Sequence, residues 1–200
     1  MKFYAHRINT INELSKISSS DGVEIDLRAY KDEIILAHDP FMMGESFENF
    51  LEHYGHSGLI LNVKSERIEF KVLELLKKYQ IKDYFFLDSS IPMSNLLFNK
   101  AGETNIAVRF SELEPLEGIL PFAHKAKWVW VDCFTKFILT KEIEEKIHEL
   151  GFKICLVSPE LQGREEDIEK YVKTVNANGL CIDAICTKIR NKEKWLSPQT

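Results

Sequence analysis

The chain has no CxxC pair, no GxGxxG and no GxxxxGK[ST]. The first absence removes the common zinc and dithiol motifs. The other two remove the glycine-rich turns that cradle nucleotide phosphates at the start of a helix. The four cysteines, Cys133, Cys155, Cys181 and Cys186, all lie in apolar runs. They are expected to be small buried hydrophobes that stay reduced. No apolar stretch approaches the roughly 20 residues that cross a bilayer. Met1-Lys2-Phe3-Tyr4 leads straight into a strand-like run, without the charged, apolar and small-residue regions of a signal peptide. A soluble, cytoplasmic protein is expected. The formal net charge of -5 disfavours a nonspecific grip on nucleic acid or an anionic membrane. No membrane-docking helix is evident. The expected partner is therefore a small molecule, with no nucleic acid and no membrane.

What is present is a regular alternation of short apolar runs and amphipathic segments. Strands are expected at Lys2–Ala5, Gly22–Leu27, Gly58–Val63, Tyr84–Leu87, Ile106–Arg109, Trp128–Val131, Lys153–Val157 and Asp183–Cys186. Ile68–Tyr79 carries a helical stripe of Ile68, Val72, Leu75, Leu76 and Tyr79. Thr140 caps an expected helix Lys141–Leu150, and Gly151 stops it. Glu165–Asn176 is a third. Strand starts are spaced near the minimum for a βαβ unit, except between Gly22 and Gly58, where an extra extended piece, Glu33–Ala37, intervenes. The expected fold class is α/β: a compact TIM (β/α)₈ barrel, residues 1–200 forming a single domain. An open doubly wound sheet is the competing architecture.

Charged residues alternate with apolar ones in Val23-Glu24-Ile25-Asp26-Leu27-Arg28. In a helix-covered barrel the charged face points inward. His6, Asp26, Lys64, Asp88, Arg109, Asp132 and Thr187 then stand at strand ends, where active sites of this fold lie. Two histidines, His6 and His38, supply a candidate base and acid. Glu24 and Asp26, two apart on one strand face, suit a hard cation such as Mg²⁺ or Ca²⁺. They suit equally a salt bridge to Arg7, Arg28 or Lys64. Asn62 offers either a neutral oxygen to the metal or a hydrogen bond. Lys64 offers an ammonium to a phosphate oxygen or to the carboxylates. Trp130 is a platform for a sugar ring or a core residue. Asp88 and Arg109, from neighbouring strands, pair as a salt bridge or grip substrate hydroxyls, and Asp132, on one face with Trp130, is a further candidate substrate contact.

At these residues the chain resembles the glycerophosphodiester phosphodiesterase family, with its phosphatidylinositol-specific phospholipase C-like relatives. His6-Arg7 with Asn9-Thr10, Glu24-Ile25-Asp26 and His38-Asp39 match the family's early motifs, and Ile182–Lys188 echoes its last strand. The resemblance implies a TIM-barrel phosphodiesterase. His6 and His38 would be its acid–base pair, Glu24 and Asp26 metal ligands, and Arg7 and Lys64 phosphate contacts. A hydroxyl next to the phosphate would be the nucleophile. Three positions depart from the family pattern. Asn62-Val63-Lys64 stands where Glu-x-Lys is usual, Ile8 replaces a glycine, and Lys188 replaces an acidic residue. The expected function is metal-dependent hydrolysis of a soluble glycerol- or sugar-linked phosphodiester. The alternatives are a non-hydrolytic phosphosugar-binding barrel and a lyase releasing a cyclic phosphate.

Overall fold

The computed structural model describes residues 1–196 and is α/β, built as two compact units. Strand β1, Lys2–Ala5, contributes its first two residues to one unit and its last two to the other.

In the unit Tyr4–Ile106 the organising element is β2, Gly22–Tyr30. Tyr4 and Ala5 pair in parallel with Gly22 and Val23. On its other side β2 pairs in parallel with β5, Leu59–Val63, in a register that sets Asp26 beside Asn62. Strand β6, Tyr84–Leu87, continues the sheet. Beyond Leu27, β2 runs on to Tyr30 and folds back as an antiparallel hairpin with β3, Glu33–Leu36, which carries β4, Glu45–Ser46. The hairpin returns the chain to the level of Asp26 and Leu27, where β5 ends at Val63, so His38 emerges there. Helices α1 (Ile11–Leu14), α2 (Phe47–Glu52), α3 (Glu69–Lys78) and α4 (Ile91–Leu96) fill the intervals. The core is Tyr4, Ile25, Leu27, Phe47, Phe50, Leu59, Leu61, Phe85 and Phe86, all almost fully buried. The Tyr4 ring explains two glycines. A Cβ on Gly22 would stand 2.4 Å from Tyr4 Cδ1, and one on Gly58 2.6 Å from Tyr4 Oη.

The second unit, Met1–Phe3 with Ala107 onward, holds a parallel ladder of β7 (Ala107–Phe110), β8 (Trp128–Val131), β9 (Lys153–Val157) and β10 (Ala184–Thr187). Its helices are α5 (Lys141–Glu149), α6 (Ile168–Ala177) and α7 (Lys192–Leu196). Thr140 caps α5 through Ile143 N, and Gly151 follows it in the left-handed region at φ +84°, the start and stop read from the sequence.

Two expectations need correction. The ladders do not close an eight-stranded ring. At β6 the further pairing is one bridge, Phe86 to Ile106. Ile106 N donates to Thr104 O 2.8 Å away, so this amide serves a local turn instead of extending a ladder. Among the cysteines, Cys133, Cys155 and Cys186 are buried, but Cys181 is exposed, since it lies in the loop before β10; all four are free thiols. Among the described residues, no helix is long and apolar enough to cross a membrane.

Candidate active site

Every strand of the first unit's parallel sheet delivers polar groups at its C-terminal end. β1 ends at Ala5, and His6 follows half-buried, its Nε2 3.8 Å from Glu24 Oε2. Arg7 then takes a left-handed φ of +57°, and its backbone N–H donates to Glu24 Oε2 at 2.7 Å. Ile8 N donates to the Glu24 carbonyl at 2.8 Å. The Arg7 Nε stands 3.8 Å from Asp26 Oδ2.

Glu24 and Asp26 are both 1% exposed. Glu24 accepts from Asn62 Nδ2 at 2.8 Å through its other oxygen. Burial, reinforced by the nearby Asp26 carboxylate, pushes Glu24 up from its ordinary 4.5 to about 7 against the pull of Asn62, Arg7 and Lys64. The Lys64 ammonium, just past β5, lies 3.8 Å from Asp26 Oδ1 and 3.3 Å from Asp88 Oδ2. His38 leaves the hairpin with its ring Nδ1 2.7 Å from Asp39 Oδ1. That contact holds the exposed Asp39 carboxyl below its usual range.

Two residues assemble this set, Asn9, read only as part of a motif, and Arg28, read only as a possible salt-bridge partner of the carboxylates. Asn9 grips Asp26 twice: its Nδ2 donates to Asp26 Oδ2 and its Oδ1 accepts from Asp26 N, both at 2.8 Å. A capping box at α1 fixes Asn9 itself, Glu13 accepting from Asn9 N and Thr10 Oγ1. Arg28, two residues beyond Asp26 on β2, donates through Nε and Nη2 to the His38 carbonyl and through Nη1 to the Lys64 carbonyl. It thereby ties the His38 loop to the end of β5. The signal for Arg28 was its place in the alternation on β2. For Asn9 it was the Asn-Thr pair, read only as part of a motif.

Of the candidate residues, the structure joins His6, Arg7, Glu24, Asp26, Asn62 and Lys64 in one chain of contacts and links His38 to them through Arg28. Arg109, Trp130 and Asp132 form a separate cluster in the second unit. Asp132 Oδ2 accepts from Arg109 and, at 3.0 Å, from Trp130 Nε1, and its Oδ1 accepts from Gln162 at 3.0 Å. Trp130 is buried, so its indole serves this brace and does not present an open face.

No family model matches the chain, and no curated protein matches it in sequence. Solved structures do. A glycerophosphodiester phosphodiesterase from Agrobacterium tumefaciens superposes with a TM-score of 0.72 at 15% identity, over 98% of this chain and 100% of that one. The fold is that of solved glycerophosphodiester phosphodiesterases. A glycerophosphoryl diester phosphodiesterase from Parabacteroides distasonis gives 0.70 at 16% identity, over 100% of this chain and 88% of its own. A phosphodiesterase from Oleispira antarctica, solved with the product sn-glycerol-3-phosphate, gives 0.69 at 14% identity, over 98% and 97%.

Whether a divalent cation suits this site is decided by its oxygens. Among the described residues no three His, Cys, Asp or Glu side chains gather as a metal site. The two carboxylates here have an amide as their third neighbour. Asp26 Oδ1 and Asn62 Oδ1 are buried without a hydrogen-bond partner. Orphaned hard oxygens beside a second buried carboxylate are what a hard cation satisfies, so the donor set fits.

Two consequences are measurable. Asn9→Ala would strip both hydrogen bonds from buried Asp26, and is expected to cost about 1–3 kcal/mol in urea unfolding. Asn9→Asp, which sets a carboxylate against Asp26, should cost more. The second concerns pH in the presence of chelator. Above pH 4.5 the unfolded chain releases the Glu24 proton, while the folded chain keeps it up to about 7. The unfolded state thus binds fewer protons, and stability declines across that window and levels off above it, by about 3 kcal/mol in all at roughly 1.4 kcal/mol per unit. Glu24→Gln should remove this decline. A wild-type stability curve as flat as the variant's would refute the assignment.

Proposed function

We propose that the protein is a metal-dependent phosphodiesterase acting on a small glycerol- or sugar-linked phosphodiester. The observation that carries this reading is the buried Glu24–Asp26 pair, in which Asp26 Oδ1 and the neighbouring Asn62 Oδ1 accept no hydrogen bond, set between His6 and two cationic side chains at the strand ends. The matched structures span nearly the whole chain, which supports reading residues 1–200 as one domain. The sn-glycerol-3-phosphate bound by the Oleispira antarctica protein supports a substrate of this size and charge.

Glu24, Asp26 and Asn62 would hold the cation. When bound, a divalent cation supplies a fixed positive charge that stabilises the phosphoryl oxygens. Arg7 and Lys64 add donors for the same oxygens. One of His6 and His38 takes the proton of a hydroxyl adjacent to the phosphate, whose oxygen attacks phosphorus. The other protonates the departing alkoxide. Water then opens the cyclic ester with the proton transfers reversed. Asp39 orients His38 through Nδ1 and leaves Nε2 for the proton. Arg109, its side chain about a third exposed, is the member of the second unit's cluster available to a ligand, with Trp130 and Asp132 holding it in place.

Purified protein incubated with glycerophosphodiesters and an aryl phosphodiester, in chelator or with Mg²⁺, Ca²⁺ or Mn²⁺, tests the reading. Metal-restored release of alcohol supports it. No turnover with any cation, alongside tight binding of the diester by calorimetry, would replace it with a non-hydrolytic binding barrel. A cyclic phosphate as the final product would make the protein a lyase.

A further inference from the structure

The loop that follows His38 is built in an unusual way. It reads Asp39-Pro40-Phe41-Met42-Met43-Gly44. Phe41 is 104% exposed, Met42 59% and Met43 71%, so three consecutive large apolar side chains stand in water. Phe41 also adopts φ +64°, a left-handed conformation that disfavours a bulky residue. Exposure and strain both work against the folded state, and neither is repaid by any packing of the Phe41 side chain.

Nor is the loop loose at its ends. Arg28 fastens the His38 carbonyl with two hydrogen bonds. Gly44 lies so close to the Leu36 backbone that a Cβ there would stand 2.1 Å from Leu36 O. Between these anchors the apolar tip is held outward. It leaves the sheet beside Asp26 and Leu27 of β2, level with the C-terminal end of β5. Ile91, 70% exposed, opens α4 just past β6, which runs parallel in the same sheet and so ends on the same side.

We propose that this tip is an interfacial anchor that inserts into the surface of a zwitterionic phospholipid layer, with Ile91 as a second contact. A convex side chain with every face exposed matches a deformable apolar phase, which needs no preformed pocket. A protein partner would have to supply one. Phenylalanine and flexible methionine are suited to the boundary of headgroup and acyl chain. The net charge of -5 selects a zwitterionic surface over an anionic one. The absence of a docking helix, from which no membrane partner was expected, does not bear on a loop. The anchor places the His38 end of the sheet against the lipid surface.

The test is co-sedimentation of the full chain with phosphatidylcholine vesicles, in chelator and without substrate, so that its result is independent of catalysis. The wild type is expected to sediment with the vesicles, less so when an anionic lipid is added. The triple variant Phe41→Ser, Met42→Ser, Met43→Ser should lose at least about tenfold in partitioning, with little change in the unfolding curve because Phe41 packs on nothing and Met42 and Met43 are mostly exposed. Ile91→Ser should lose less. A wild type that stays in the supernatant overturns the proposal, as does a triple variant that sediments equally well. A concentration-dependent dimer that the triple variant abolishes, without vesicle binding, overturns it in favour of self-association.

Discussion

Replacing His6 with glutamine is expected to lower kcat on a glycerophosphodiester by about 10²–10⁴-fold while changing KM little, the usual contribution of one general acid or base. The prediction rests on where His6 stands. It is the first residue beyond β1, half-buried, with Nε2 3.8 Å from Glu24 Oε2. His38→Gln should produce a loss of the same order. The double variant should be far from the product of the two losses, because an acid and a base that serve one proton-transfer sequence act as a unit. Asp39→Asn is the informative control. The Asp39 carboxylate touches His38 Nδ1 at 2.7 Å and only orients it, so the loss should be smaller than that of His38→Gln. Stopped assays with purified variants, each checked for an unchanged unfolding curve, read these effects. Full activity in both single histidine variants would remove acid–base catalysis by this pair.

The sequence shows these histidines because chemistry and periodicity coincide there. An apolar run that stops at His-Arg marks both a strand end and a proton-transfer group. Alternating charges on Glu24, Asp26 and Arg28 mark one strand face. The strands were legible for the same reason: short β-rich runs punctuated by turn residues leave little choice of register. The helices α1, α2 and α4 span four to six residues, too short to show a period, and are set by their caps Thr10, Ser46 and Ser90. The extension of β2 to Tyr30 depends on β3 folding back onto it, a pairing that periodicity in one segment does not reveal. Asn9 and Arg28 bond to partners 17, 10 and 36 residues away, which no local pattern encodes. Trp130 read as either a ligand platform or a core residue, because strand position alone does not separate the two; in the structure it is buried and Asp132, two residues on, captures its N–H.

Asn62→Glu is the second large effect, and it has opposite signs with and without a cation. Asn62 now donates an N–H to Glu24 Oε1 at 2.8 Å, one of the interactions restraining the Glu24 proton. Glutamate cannot donate when ionised, and it would add a third carboxylate to two that are already buried. In chelator the variant should lose up to about 3–5 kcal/mol of stability, the cost of an uncompensated buried charge. With Mg²⁺, Ca²⁺ or Mn²⁺ the same charge becomes a ligand. Affinity rises with the number of anionic donors, so cation binding should tighten by about tenfold or more, and the cation-induced rise in Tm should exceed that of the wild type. Asn62→Gln, which keeps a neutral oxygen and N–H, separates charge from size and should show neither change. Calorimetric titration of the cation and thermal unfolding read both effects without reference to turnover. If Asn62→Glu were destabilised in chelator yet gained no more from cations than the wild type, position 62 would not face a cation. The Asp26 oxygen would then be balanced by the Lys64 ammonium 3.8 Å away, without a cation. If the gain appears together with faster turnover, the amide in this chain is what holds its cation weakly, and exchange of the ion becomes part of how the site works.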